Sequence, residues 1–147
     1  MDETRIARLM AETRGGAVRY TACSPDTQFG AEQLLILDTV GLLSSVYGYA
    51  TWSYIGGGFG VGIHNTLEAA TFGLPVAFGP NYEKFKEARD LVTLGAARPV
   101  TDYEQLRAWF APLRDDPARL QQASRAAKDY TTSHQGATEL ILKTVFE

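Results

Sequence analysis

The sequence predicts an α/β fold, in which a mainly parallel sheet carries helices on both faces. Short apolar runs alternate along the chain with segments whose apolar residues recur at helical spacing. Two of these runs, at 34–37 and 76–78, are continuously apolar, as expected of strands that are covered on both faces. Because strands that alternate with helices form parallel sheets, the order of the elements indicates a Rossmann-like architecture.

The elements in the first half of the chain follow from periodicity and from turn residues. Residues 2–14 place Ile6, Leu9 and Met10 on one helical face, and a glycine pair ends this helix. The other predicted elements here are strands at 17–22, 33–38 and 52–55 and helices at 41–49 and 63–72.

Turn residues also divide the second half of the chain. Gly73-Leu74-Pro75 ends the helix at 63–72, and Gly79-Pro80-Asn81 ends the strand at 76–78. Thr101 is the predicted N-cap of a later helix, because Glu104 stands at the capping-box position. The remaining predicted elements are a helix at 82–94, an edge strand at 97–100 that contains Pro99, a helix through Leu106, Trp109 and Phe110 towards Leu113, and helices at 117–132 and 137–146 separated by 133–136.

Composition and charge limit the classes of function. The chain has 147 residues, 45% of them hydrophobic, which favours a single domain over residues 1–147. A formal charge of −3 and a pI near 5.4 argue against nucleic-acid binding, which needs a basic surface. Cys23 is the single cysteine, and His64 and His134 lie far apart, so we expect no disulfide, no metal and no other cofactor. No apolar run is long enough to span a bilayer, and the expected location is cytoplasmic.

The most informative motif is a strand that runs into five glycines and then into a predicted helix. Residues 54–70 contain Gly56, Gly57, Gly58, Gly60 and Gly62. Glycine lets a backbone approach a ligand closely, and the first N–H groups of a helix have no intrahelical partner. These amides and the helix dipole attract an anion, so the motif indicates a phosphate site. The alternative is that the glycines serve only tight strand-to-helix packing.

Polar residues around the glycines extend the candidate site. Asn65 and Glu68 lie three residues apart on one predicted helix face, where they suit the hydroxyls of a ribose or another sugar. His64 can donate to an anion or help to cap the helix. Asn81 lies on the turn after the strand at 76–78 and is a further candidate ligand.

For other residues a structural role is the simpler interpretation. Lys84 and Lys86 could meet an anionic ligand, but they are typical of a solvated helix surface. Asp38 could bind ligand, although a cap on the next helix is favoured. The loops after Asp38, Ile55 and Phe78 are expected to converge on one crevice. The predicted core aromatics are Tyr47, Tyr49, Trp52, Trp109 and Phe110, and the predicted solvated face carries Arg119, Arg125 and Lys128.

Three segments, at 38–47, 54–70 and 73–88, together resemble the C-terminal half of bacterial 3-deoxy-D-manno-octulosonic acid (Kdo) transferases. The resemblance implies a GT-B glycosyltransferase, whose C-terminal domain binds the donor CMP-Kdo and whose N-terminal domain binds a lipid A precursor. It also implies that the helix start near Ile63 faces the CMP phosphate. The expected donor-binding residues are Gly57, Gly58, Phe59, Gly60, Ile63, His64, Asn65, Glu68 and Asn81.

The resemblance further implies that part of the enzyme precedes Asp2. The family's carboxylate base belongs to the N-terminal domain, so we expect no catalytic residue among these residues. The whole enzyme would act in lipopolysaccharide biosynthesis, with peripheral contact to the cytoplasmic face of the bacterial inner membrane. Two alternatives stay open, a GT-B transferase that uses a UDP-sugar and a nucleotide-binding module without chemistry. Retention or inversion of the anomeric configuration also stays open.

Overall fold

The structure, a computed structural model, describes residues 2–134, and the chain divides into two compact units. The first unit ends at Val46 and the second begins at Tyr47. Each strand pair that the structure describes is parallel, as the sequence predicts. The strands form two sheets, one of two strands and one of three. Within residues 2–134, no helix combines the length and the apolar character needed to cross a membrane.

The first unit begins with helix α1 (Glu3–Glu12). Asp2 caps this helix, because its carboxylate accepts hydrogen bonds from the N–H groups of Thr4 and Arg5. The other elements are β1 (Ala17–Arg19), a 3₁₀ turn (Tyr20–Ala22), β2 (Leu34–Ile36) and α2 (Leu43–Tyr47), which reaches the boundary between the units. β1 and β2 pair in parallel, with Ala17 opposite Leu34.

Asp38 joins side chains of the first unit and does not cap the next helix, so that prediction is wrong. Its buried carboxylate accepts hydrogen bonds from the Thr21 hydroxyl at 2.5 Å, the Thr21 N–H at 2.9 Å and Arg19 Nε at 2.5 Å. These bonds, that of the Thr21 hydroxyl above all, hold the pKa of Asp38 well below its usual range. The strand predicted to reach residue 22 stops at Arg19, and the 3₁₀ turn that follows contains Thr21.

The second unit contains a parallel sheet in the order β3-β4-β5. Its elements are β3 (Ser53–Ile55), α3 (Leu67–Thr71), β4 (Val76–Phe78), α4 (Lys86–Thr93), β5 (Ala97–Pro99), α5 (Tyr103–Asp115) and α6 (Pro117–His134). The central strand β4 is buried throughout, as its continuous apolar run predicts. Ile55, Phe78 and Pro99 stand opposite one another at the carboxyl edge.

Small residues let the helices pack closely on this sheet. Ala69 and Ala70 of α3 and Ala127 of α6 are fully buried in the core, where α3 and α6 contact each other. Lys128, the residue after Ala127, donates from Nζ to the Thr71 carbonyl at 2.8 Å. Lys128 therefore binds the C-terminal end of α3, in addition to facing solvent as predicted.

The aromatic residues predicted to fill the core differ in burial. Tyr47 is buried, Trp52, Trp109 and Phe110 are half-buried, and Tyr49 is 92% exposed. The rings of Trp52 and Phe110 pack edge to face, with centroids 4.7 Å apart. Tyr49 misses the core because α2 ends at Tyr47, so the helical periodicity that predicted its burial does not reach it.

Two helices start later than predicted. α3 begins at Leu67 and not at 63, because Ile63 forms an antiparallel bridge with Gly57 that keeps this segment extended. α4 begins at Lys86 and not at 82, after Phe85 in an extended conformation. Before Phe85, residues 83 and 84 form a turn, in which the Phe85 N–H donates to the Tyr82 carbonyl at 2.9 Å. Periodicity alone therefore misplaced both starts.

The N-cap of α5 is Asp102 and not Thr101. The Asp102 carboxylate accepts the N–H of Gln105 at 2.8 Å, and the Gln105 side chain accepts the N–H of Thr101 at 3.1 Å. These two hydrogen bonds form a reciprocal pattern like that of the predicted capping box, shifted by one residue. α6 includes 133 and 134, which the sequence assigned to a linker, and the helix predicted at 137–146 lies outside the described residues.

Candidate functional site

Two loops leave the carboxyl edge of the three-stranded sheet side by side. The glycine loop (56–66) follows β3 and the Gly79 loop (79–85) follows β4, and the last residues of these strands are register partners. A Cβ built on Gly58 would lie 2.7 Å from the Cα of Gly79, and one built on Gly79 would lie 2.6 Å from the carbonyl carbon of Gly58. No side chain fits at either position, so the contact between the loops requires both glycines.

The glycine loop also folds back on itself. The Gly58 N–H donates to the Gly62 carbonyl at 2.8 Å, and the His64 N–H donates to the Gly56 carbonyl at 3.2 Å. Gly57 has a φ of 88°, and a Cβ there would collide with the Gly62 carbonyl oxygen. Two amides of the loop are thus already used, and the packing role that the sequence left open for the glycines has direct structural support.

The Gly79 loop holds the tip of the glycine loop, which is residues 59–61. The Asn81 N–H donates to the Gly58 carbonyl at 2.8 Å, and Asn81 Nδ2 donates to the Gly60 carbonyl at 2.9 Å. Lys84 Nζ donates to the Val61 carbonyl at 2.6 Å. Asn81 and Lys84 therefore fix the path of the tip through its backbone oxygens, and Lys84 is not the simple solvated residue that the sequence favours.

An open pocket of about 460 Å³ lies between the two loops. Its lining residues are Gly60, Val61, Pro80, Asn81, Glu83 and Lys84. At the tip beside it, Phe59 and Val61 are 59% and 93% exposed. The pocket offers an ammonium group, an amide, a carboxylate and backbone groups, which suit a ligand that carries both hydroxyls and an anionic group.

Asn65 and Glu68 lie side by side, as the sequence predicts, but Asn65 precedes the helix and bonds to its first residues. Asn65 precedes α3, and its Oδ1 accepts the Leu67 N–H at 3.0 Å, while its Nδ2 donates to Glu68 Oε1 at 3.1 Å. Both residues are exposed. Burial, and then the charge of Glu68, raise the pKa of Tyr47. The Asn65–Glu68 pair presents one donor group and several acceptor oxygens to solvent.

The prediction that a helix begins near Ile63 is wrong, and this changes the expected phosphate site. The Ile63 side chain is 7% exposed and belongs to the core, so a donor contact at Ile63 would have to come from its backbone. α3 has only five residues, and Asn65 already accepts its Leu67 N–H. A helix this short has a weak dipole, so the anion attraction expected from a helix start does not apply here.

Lys86 is held by structural contacts. Its Nζ lies 2.5 Å from Asp90 Oδ2, and the Tyr130 hydroxyl donates to the same carboxylate oxygen at 2.9 Å. The bonds from Lys86 and Tyr130 lower the pKa of Asp90, and burial together with the Asp90 bond raises the pKa of Tyr130 to about 12. Of the two lysines, the structure therefore brings only Lys84 to the pocket.

The sequence offered Lys84 as a possible ligand of an anion but favoured a solvated role, and it did not predict the contact of Lys84 with Val61. The signal for Lys84 was its position three residues after Asn81 in the same loop. Asp38 lies in the other unit, so the convergence of its loop with these two loops stays a prediction. Among residues 2–134, the structure brings together no group of three His, Cys, Asp or Glu side chains suited to a metal ion.

No protein-family model matches this chain. Sequence comparison finds 38% identity over 111 residues with a 3-deoxy-D-manno-octulosonic acid transferase of Bordetella pertussis, which is 74% of this chain and 26% of the relative. The chain is a sequence relative of the Kdo transferases. The Kdo transferase of Rickettsia conorii is 43% identical over 77 residues, 52% of this chain and 17% of the relative. The chain thus spans about a quarter or less of the length of these Kdo transferases.

A solved structure has the same fold. The crystal structure of the C-terminal CMP-Kdo binding domain of WaaA from Acinetobacter baumannii superposes with a TM-score of 0.68 and 22% identity, covering 85% of this chain and 66% of that one. This similarity, together with the parallel strand pairs, confirms the Rossmann-like α/β fold predicted from the sequence.

Proposed function

We propose that this chain is the donor-binding part of a Kdo transferase, a GT-B enzyme that transfers Kdo from CMP-Kdo to a lipid A precursor in lipopolysaccharide biosynthesis. The observation that carries the proposal is the 38% identity with the Bordetella pertussis transferase over 111 residues. The fold shared with a domain described as CMP-Kdo binding supports the choice of donor. In this proposal, residues 1–147 form one nucleotide-sugar-binding domain.

The groups around the pocket suit the charge of CMP-Kdo. Lys84 Nζ uses one N–H on Val61, so its ammonium keeps two donors for the donor's phosphate or carboxylate. Asn81 and the loop backbone add dipoles that are already held in place, and such dipoles stabilise the negative charge that develops on a leaving nucleotide. The Glu83 carboxylate on the same wall opposes this attraction, so Lys84 is the residue on which anion binding depends most.

The proposal also gives roles to the predicted donor-binding residues outside the pocket. The exposed Asn65–Glu68 pair binds hydroxyls of the ribose. Phe59, His64 and the backbone at Gly57 and Gly58 are further donor contacts in this proposal. The acceptor site and the catalytic base belong to the N-terminal domain of the whole enzyme. The whole enzyme works at the cytoplasmic face of the inner membrane, where its lipid acceptor resides.

Nucleotide competition tests this proposal. Titration of the isotope-labelled protein with CMP should shift the backbone amides of 57–68, Asn81 and Lys84 before others, and UDP should bind about tenfold more weakly, a difference of about 1.4 kcal/mol. Tighter binding of UDP would instead support a UDP-sugar transferase. If neither nucleotide shifts these amides at millimolar concentration while the protein remains folded, nucleotide binding at this site is excluded.

A further inference from the structure

The second unit has another cavity, which shares no lining residue with the pocket between the two loops. This cavity has a volume of about 680 Å³ and is bounded by α5, α6 and the segment that joins α4 to β5. That segment precedes β5, whereas the glycine loop and the Gly79 loop follow their strands. Volumes of about 300–1,000 Å³ are typical of sites for small molecules.

The register of the sheet explains how Arg98 reaches this cavity. Arg98 is the middle residue of β5 and stands opposite Ala77 of β4, whereas its neighbours Ala97 and Pro99 stand opposite the core residues Val76 and Phe78. Successive side chains of a strand point to opposite faces, so Arg98 leaves the sheet away from the main core. Arg98 lines the cavity together with Trp109 of α5.

The cavity is positively charged in a protein whose net charge is negative. Arg98 and Arg119 both line it, and none of its lining residues is acidic, although the formal charge of the chain is −3. Within residues 2–134, Arg98 makes no ion pair, and Arg119 has only a surface contact, 3.4 Å from Asp116. Exposed pairs of this kind contribute little, so both guanidinium groups can exchange water or a weak partner for a ligand.

Other lining groups indicate which anion would fit. A guanidinium group binds the paired oxygens of a phosphate or carboxylate in a bidentate manner. Gln122 of α6 adds an amide, and the half-buried indole of Trp109 adds an aromatic surface on the same wall. An oxyanion attached to a ring would use both kinds of group, because the ring packs on the indole while the oxygens meet the arginines.

We propose that this cavity binds a small molecule that carries a phosphate or carboxylate on a ring, with Arg98 and Arg119 holding the oxyanion and Trp109 packing on the ring. The proposal does not depend on which donor the glycine loop binds. Phosphate esters and carboxylates share this chemistry, and the test separates them.

The test uses phenyl phosphate, benzoate and inorganic phosphate as probes of the labelled protein. Phenyl phosphate should shift the indole N–H of Trp109 and the amide of Arg98 in a saturable way below about 10 mM, and more tightly than inorganic phosphate, which has no ring. Tighter binding of benzoate than of phenyl phosphate would assign the cavity to carboxylates, and the opposite order would assign it to phosphate esters.

Matched arginine variants locate the binding. Arg98→Gln and Arg119→Gln should each weaken phenyl phosphate binding by about tenfold or more, as expected for loss of a hydrogen bond to a charged group. Arg107→Gln is the control, because Arg107 lies on α5 outside the cavity lining and removes the same charge. Equal weakening by all three variants, or no saturable shift in the folded wild-type protein, would overturn the proposal.

Discussion

At the scale of single residues, the glycines that follow β3 and β4 fall into two groups. Gly58 and Gly79 touch through their backbones, whereas a Cβ on Gly60 would meet nothing within 4 Å. The sequence places Gly58 and Gly60 in one motif and cannot separate them. Gly58 differs from Gly60 because it contacts Gly79 in the other loop. Substitutions in this contact should therefore lower stability, whereas a substitution at Gly60 should not.

Replacement of Gly79 by alanine should destabilise the protein by about 1–3 kcal/mol, the range for overpacking in a closely packed site. The new Cβ would lie 2.6 Å from the carbonyl carbon of Gly58, and backbone cannot move away cheaply. Gly60→Ala is the matched control and should change the free energy of unfolding by less than about 0.5 kcal/mol. Urea unfolding measures both variants, and wild-type stability of Gly79→Ala would contradict the contact between the loops.

Glu68→Gln should weaken CMP-Kdo binding by about 1.5–3 kcal/mol, because a hydrogen bond to a charged group is lost. Its effect on the midpoint of thermal unfolding should be small, since Glu68 is exposed and its side chain bonds to Asn65. Glu104→Gln, on the exposed surface of α5, removes the same charge and serves as the control. A large fall in the unfolding midpoint with unchanged donor affinity would exclude a ligand role for Glu68.

At the scale of elements, hydrogen bonds from Asn81 and Lys84 hold the glycine loop and the Gly79 loop together. Asn81→Asp replaces the Nδ2 donor by an oxygen that repels the Gly60 carbonyl, and it should weaken CMP binding by about 0.5–1.5 kcal/mol. Hydrogen exchange at 59–61 should become faster. Gln121→Glu, an amide-to-acid change on the exposed face of α6, should alter neither measurement. Unchanged exchange in Asn81→Asp would show that the tip does not depend on this bond.

The hydrogen bonds of Asp38 in the first unit should make stability fall at acid pH. The buried carboxylate of Asp38 has a pKa below the ordinary value of 3.8, owing mainly to its bonds with Thr21 and then to Arg19. A carboxylate whose pKa is lower in the folded state stabilises the fold above its unfolded pKa, and this contribution is lost as the pH falls below that value. Unfolding experiments between about pH 2 and pH 7 should show a shallower acid decline in Asp38→Asn than in the wild-type protein. Identical slopes would mean that Asp38 is not the group responsible.

Helix starts show why element boundaries were the weaker part of the sequence prediction. Apolar periodicity identified α3 and α4 but extended both of them towards their N-termini. Before α3, Ile63 pairs with Gly57, and before α4 the chain forms a turn at residues 83 and 84. Pairing or a turn at these residues replaces the helical conformation, and the apolar periodicity does not report which of them forms.

At the scale of the whole molecule, the proposal assigns donor binding to this chain and the catalytic base to another domain. The purified chain of residues 1–147 should therefore bind CMP but not transfer Kdo. Transfer needs a base for the acceptor hydroxyl, and the proposal assigns this base to the N-terminal domain. The full-length gene product, assayed with CMP-Kdo and a lipid A precursor, is the positive control. A Kdo transfer rate from residues 1–147 alone would show that the base lies within this chain.

The sequence by itself determined the order of the elements, the parallel sheet with a buried β4, the glycine motif and the relation to Kdo transferases. These properties follow from periodicity and from residue patterns within continuous segments. Only the tertiary structure decided that Gly58 needs Gly79, that Lys84 and Asn81 hold the tip of the glycine loop, and that Ile63 faces the core. These are contacts between residues that the chain separates, so their geometry exists only after β3 and β4 have paired and brought the two loops together.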